Sequence, residues 1–138
     1  CCRFSRERSE WGVHLTSDEQ QSLGVQDTVI PSPKDPASGT CFCVFFDARR
    51  ERCTVYSKRP FECRLYPFLI NRRGGTVFLA IDMNCAYARE HYETQAMRDS
   101  IASLAVECDS PDFIQSLKQN PWLVQSYDGV LNIAPLSL

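Results

Sequence analysis

The sequence predicts an α+β fold: a small, irregular, loop-rich domain with short hairpins and C-terminal helices around a cysteine cluster. Three observations predict it. Eight cysteines occur in 138 residues, apolar runs of strand length occupy the middle of the chain, and helical periodicity takes over after Tyr87. Hydrophobic residues make up 43% and charged residues 23%, a globular balance that supports one domain over 1–138 with its own core. Within it, the motif region runs over 1–85 and a helical and hairpin part over 86–138.

Taken in order, residues 1–10 are polar and arginine-rich, led by Cys1 and Cys2. Thr16 followed by Glu19 three residues later is a capping box, so a short helix is expected to open there and end at Leu23-Gly24. Four turn formers, Pro31, Pro33, Pro36 and Gly39, make 25–40 a loop. Cys43-Val44-Phe45-Phe46 and Cys53-Thr54-Val55-Tyr56 read as two strands joined by the polar segment 47–52. Phe61 to Tyr66 has room for about one helical turn between Pro60 and Pro67. A second hairpin is expected from Phe68–Ile70 and Thr76–Ile81 across Arg72-Arg73-Gly74-Gly75. A helix is expected from Tyr87 to about Cys108, with Met97, Ile101, Leu104 and Ala105 on one face. Ser110-Pro111 starts another, and Trp122–Ile133 reads as a terminal hairpin turning at Asp128-Gly129.

The cysteines carry the chemistry. Buried structural thiols explain one or two of eight, and disulfides need an oxidising compartment that a chain of this length does not require for stability. Clustering around a few short motifs favours metal binding in a cytoplasmic protein. Cys43, Cys53 and Cys63 have nine residues between successive members, and Cys41 precedes Cys43 by two. This is neither the Cys-x2-Cys knuckle of zinc fingers nor the compact ferredoxin run. If Cys43 and Cys53 each begin a strand of one hairpin, they stand roughly 10 Å apart at about 3.4 Å per residue. Either the hairpin is irregular or the ligands surround something larger than one ion, such as an iron–sulfur cluster. Zinc and mononuclear iron are the alternatives.

Charge narrows the partners. The net charge is −2, so nucleic acid is not the expected partner. No apolar run is long enough to span a bilayer, and no signal-peptide core is visible. Between Cys41 and Gly75, however, eight basic residues face three acidic ones. Arg59 and Arg64 flank Cys63 and are candidate cofactor-binding donors to metal-bound sulfur; such arginines otherwise form a solvated face. The exposed arginines suit a protein partner, an anionic ligand or solvent alone. Glycine-rich nucleotide loops, nucleophile elbows and His-Glu-x-x-His helices are absent from the sequence, so no catalytic residue, substrate or reaction is read from it.

Cys43-Val-Phe-Phe-Asp47, Arg52-Cys53-Thr-Val-Tyr56 and Arg59-Pro60-Phe-Glu-Cys63-Arg64-Leu-Tyr-Pro67-Phe68 together resemble the YkgJ-type cysteine-cluster family. This is the zinc- or iron-chelating CxxCxxCC domain that also occurs in flagellin lysine methylases. Cys1-Cys2 resembles the end of the run that names the family, and Val13-His14-Leu15-Thr16 matches the Val-x-Leu-Thr segment that follows it. A chain cannot begin translation at cysteine, so upstream residues, including two further cysteines, are expected. The resemblance implies metal ligation by Cys1, Cys2, Cys43, Cys53 and Cys63, with Cys85 as a later addition. It implies a redox or methylation-related role for iron, or a structural zinc module that orders loops for a protein partner. Cys41 and Cys108 match no family position, and Cys108 is expected to be a buried or free thiol. His14 and His91 are expected to be surface or core residues rather than ligands.

Overall fold

The computed structural model describes residues 2–5 and 11–138. The candidate ligand Cys1 lies outside the described residues, as does most of the polar segment that follows Phe4. The chain forms two compact units, Cys1–Arg64 and Leu65–Leu138, and mixes helices with small antiparallel sheets, an α+β architecture.

The first unit has little regular structure. Strand β1 (Arg3–Phe4) pairs antiparallel with β2 (Cys41–Phe42). Helix α1 (Ser17–Leu23) begins at the expected capping box and ends on Gly24, whose left-handed φ of 67° suits a residue without Cβ. The Val13–Leu15 segment bonds across to Thr28–Ile30 through Leu15 N to Thr28 O and Ile30 N to Val13 O, each 2.8 Å. The core is Phe4, Val13, Leu15, Ile30, Cys41 and Cys43, with Trp11, Leu23, Val25, Phe45 and Phe46 packed against it.

The expected strands Cys43–Phe46 and Cys53–Tyr56 are not what forms. Instead, β3 (Phe46–Asp47) pairs with β4 (Arg52–Cys53). The Asp47 carboxylate accepts the Arg49 and Arg50 amides at 3.0 and 3.1 Å and so shapes the connecting turn. Cys43 itself sits in a turn, its carbonyl accepting the Phe46 amide at 2.8 Å. After Cys53 the chain makes a 3-10 turn at Tyr56–Lys58 and then helix α2 (Phe61–Leu65), the single turn expected between the prolines.

The second unit is built on a three-stranded antiparallel sheet. Strands β5 (Phe68–Arg73) and β6 (Thr76–Ile81) form the expected hairpin. Its two-residue turn is Gly74-Gly75, with φ of 58° and 84°, the positive values a twist-matched tight hairpin demands. Helix α3 (Ala86–His91) and helix α4 (Gln95–Cys108) replace the single expected helix. Thr94 divides them, its side chain accepting the Met97 amide as a new N-cap. Helix α5 (Pro111–Gln119) starts at Ser110-Pro111 as expected. The expected terminal hairpin does not form. Pro121–Leu123 is a 3-10 turn, and β7 (Leu131–Pro135) adds to the free edge of β6. That edge offers a longer ladder than a local hairpin would. Leu79 pairs with Ala134 and Ala80 with Asn132, so Ile133 is an extra residue, a bulge.

The second core joins sheet and helices through Leu79, Ile81, Ala88, Met97, Ile114 and Leu117. Leu79 is fully buried. Leu79→Ala is expected to lower the stability of this unit by about 2–5 kcal/mol, the usual range for a truncated core leucine, as measured by chemical denaturation. No helix among the described residues is long and apolar enough to cross a membrane.

Candidate metal centre

Backbone pairing sets the positions of the thiols. Cys2 precedes β1, and its carbonyl accepts the Cys43 amide at 3.1 Å, which places the two residues side by side. The turn at Cys43–Phe46 folds the chain back so that Phe46 lies opposite Cys53, and Thr54 N reaches Phe45 O at 2.8 Å. Cys43 and Cys53 are therefore not at opposite ends of a regular hairpin. Of the two alternatives the spacing left open, the irregular hairpin is the one that occurs, and the separation no longer argues for a large cluster over a single ion. Cys63 comes from α2 and packs against the same core as Cys2 and Cys43.

Electrostatics reports the convergence. Burial raises the Cys2 thiol pKa, and Cys43, Cys53 and Cys63 raise it further. Cys43 is raised by burial and by Cys53, against a backbone hydrogen bond from Phe45 that lowers it. Burial pushes Cys63 up to about 12, with added repulsion from Cys43, Glu62 and Cys53 and relief from Arg59. These four thiols share one local environment. None of the seven cysteines among the described residues is in a disulfide.

The surroundings are polar in a specific way. The Arg59 guanidinium stacks 4.0 Å over the Tyr56 ring, and its buried Nε has no hydrogen-bond acceptor among the described residues. Arg64 is exposed. His14 is buried, with Nδ1 3.5 Å from Glu62 Oε2 but not aligned as a hydrogen bond. Cys41 is 1% exposed and belongs to the first core, paired with Phe4 across β1–β2. In the second unit, Cys108 is a core thiol that burial pushes up to about 11. Cys85, also in the second unit, precedes α3 and has Tyr66 and Asp82 as neighbours. The Tyr66 hydroxyl donates to Asp82 Oδ2 at 3.0 Å, and Asp82 is buried.

Several thiolates in a small space are the donor set of zinc and iron. Among the described residues, no three His, Cys, Asp or Glu side chains are gathered in an arrangement that grips an ion. Each cysteine sulfur is carried on a single torsion, so a rotamer change re-aims it without moving backbone. The donor chemistry and the unsatisfied Arg59 Nε fit a bound metal–thiolate group.

A small α+β protein with cysteines converging from four separate segments is of the metal-chelating class. The chain belongs to the CxxCxxCC family, described as "Putative zinc- or iron-chelating domain", whose profile matches residues 1–108. It is also similar to an uncharacterized protein, MJ0661, of Methanocaldococcus jannaschii, 37% identical over 41 residues. That match covers 30% of this chain and 22% of the length of the archaeal protein. No solved structure matches.

The sequence does not announce two carboxylates at helix α2: Glu62, which acts on the Cys63 thiol, and Glu19, bonded at the helix start. Glu62 Oε2 accepts the His14 amide at 2.6 Å, and Glu19 Oε1 accepts the Phe61 amide at 2.6 Å. The Thr16–Glu19 signature pointed only to a local cap.

Proposed function

We propose that the first unit is a thiolate metal centre in which Cys2, Cys43, Cys53 and Cys63, with Cys1, hold iron as an iron–sulfur cluster. The observation that carries the metal reading is the placement of four cysteine segments side by side. Cys2 O accepts the Cys43 amide, Phe46 lies opposite Cys53, and Cys63 packs on the core that holds Cys43 and Cys2, while neighbouring cysteines help raise the thiols of Cys2, Cys43 and Cys63. Iron with sulfide is preferred because Arg59, beside Cys63, carries a buried N–H without an acceptor. Cluster sulfurs are acceptors for such a donor, and hydrogen bonds of this kind tune a cluster's potential. A redox role would follow, and the occurrence of the resembled family's domain in flagellin lysine methylases makes methylation the reaction to examine alongside it.

A structural zinc module is the second reading, favoured by the turn that folds Cys43 back toward Cys53. A single tetrahedral ion could order these short strands and loops for a protein partner. Elemental analysis and an absorbance spectrum of protein purified without oxygen separate the two. The expected result is iron with acid-labile sulfide and a thiolate-to-iron charge-transfer absorbance that dithionite bleaches. A colourless protein with one zinc per chain would replace the first reading with the second. Failure to retain or take up either metal would remove both.

A further inference from the structure

We infer that Glu19 is a positioning residue for the metal-binding thiol of Cys63, fixing helix α2 from a point 42 residues earlier in the chain. The inference rests on the metal reading above and adds a residue to it.

Helix α2 spans five residues, Phe61–Leu65, too few to persist on intrinsic propensity. Its direction decides where the Cys63 sulfur points, so something outside the helix must hold it. Glu19 does so with both carboxylate oxygens. Oε1 accepts the Phe61 amide at 2.6 Å, at the start of α2, and Oε2 accepts the Thr16 amide at 3.0 Å, at the start of α1. The Glu19 amide in turn donates to Thr16 Oγ1 at 3.2 Å. One carboxylate thus ties two helix N-termini together, and both bonds are charge-assisted. Glu62, the neighbour of Cys63, accepts the His14 amide at 2.6 Å and supports the same junction from the other side. The segment from His14 to Glu19 is anchored in its turn, since Leu15 is fully buried and its amide bonds Thr28 O.

A carboxylate is required because two amides need two acceptor oxygens. Glutamine offers one oxygen and turns an NH2 toward the second amide. Outer residues that orient metal ligands change affinity by about 10- to 100-fold when lost.

The test uses cobalt(II) as the metal probe, with affinity read by chelator competition and thiolate ligation read from the charge-transfer absorbance. Alkylation of Cys63 in metal-free protein, mapped by peptide mass, is the second readout. Relative to the native chain, Glu19→Ala is expected to bind cobalt about 10- to 100-fold more weakly. Its charge-transfer band should be smaller and Cys63 alkylation faster. Glu19→Gln should lie between the two, and keeps the inference testable if the alanine variant fails to fold. Thr16→Ala removes only the hydroxyl cap of α1 and leaves both amide bonds to the carboxylate. It should melt earlier while keeping the native cobalt spectrum. Native cobalt affinity and native Cys63 alkylation in both Glu19 variants would overturn the inference, and so would equal spectral changes in Thr16→Ala. A native chain that binds no cobalt would sink the metal reading itself.

Discussion

Replacing Cys63 with serine is expected to weaken metal binding by about 100- to 1,000-fold and leave the second unit folded. Structural zinc sites with four ligands bind with about 10–16 kcal/mol, so one thiolate accounts for roughly a quarter of that, or two to three decades in affinity. Serine keeps the shape of the side chain but offers a hard, weakly acidic oxygen in place of a soft sulfur. Cys63 is the informative choice because its environment is shared with Cys43, Cys53 and Cys2. Cys41 supplies the contrast. It is equally cysteine and close in sequence to Cys43, yet it is a core residue paired with Phe4. Cys41→Ser should cost about 1–3 kcal/mol of stability by burying a hydroxyl while leaving metal stoichiometry unchanged. Equal losses of affinity in the two variants would put Cys41 among the ligands, and unchanged affinity in Cys63→Ser would remove Cys63 from the centre.

That contrast marks how far the sequence could be read. Elements set by local chemistry were legible: the Thr16–Glu19 box, the Gly74-Gly75 hairpin and the Ser110-Pro111 helix start each follow from a few adjacent residues. Elements set by distant partners were not. Strand β7 pairs with β6 rather than folding back on 122–127, because an open strand edge elsewhere in the chain offers a better ladder. The cysteine segments misled for a related reason. Phe45 and Phe46 have strand propensity, but the bonds from Cys43 to Cys2 and to Phe46 convert the run into a turn. No pattern in the sequence announces a bond between residues 41 apart. The family resemblance named a thiol set but no carboxylate at helix α2, because Glu19 reads as an ordinary capping residue until Phe61 is seen beside it.

Metal affinity is expected to rise by at least about 1,000-fold per pH unit between pH 6 and 8 from three raised thiols alone, while the metal-free protein loses stability above pH 9. Both trends come from the same raised thiols. Cys2, Cys43 and Cys63 lie above the ordinary value of 9.0 in the folded chain, Cys63 at about 12, with burial the leading cause in each. Metals bind the thiolate, so at neutral pH each of the three must release a proton. Each released proton contributes about tenfold per pH unit to the apparent association constant. Lowering the pH therefore weakens binding. In the metal-free chain the sign reverses. A thiol whose pKa is higher folded than unfolded holds its proton more tightly in the native state. Its contribution to stability is complete below the unfolded value near 9 and fades as pH rises through the folded value near 12 for Cys63. Chelator competition with zinc across pH 6–8, paired with melting of the metal-free protein across pH 8–11, measures the two arms. An affinity independent of pH in the first range would show that the thiols enter the site already ionised, contrary to the burial that surrounds them.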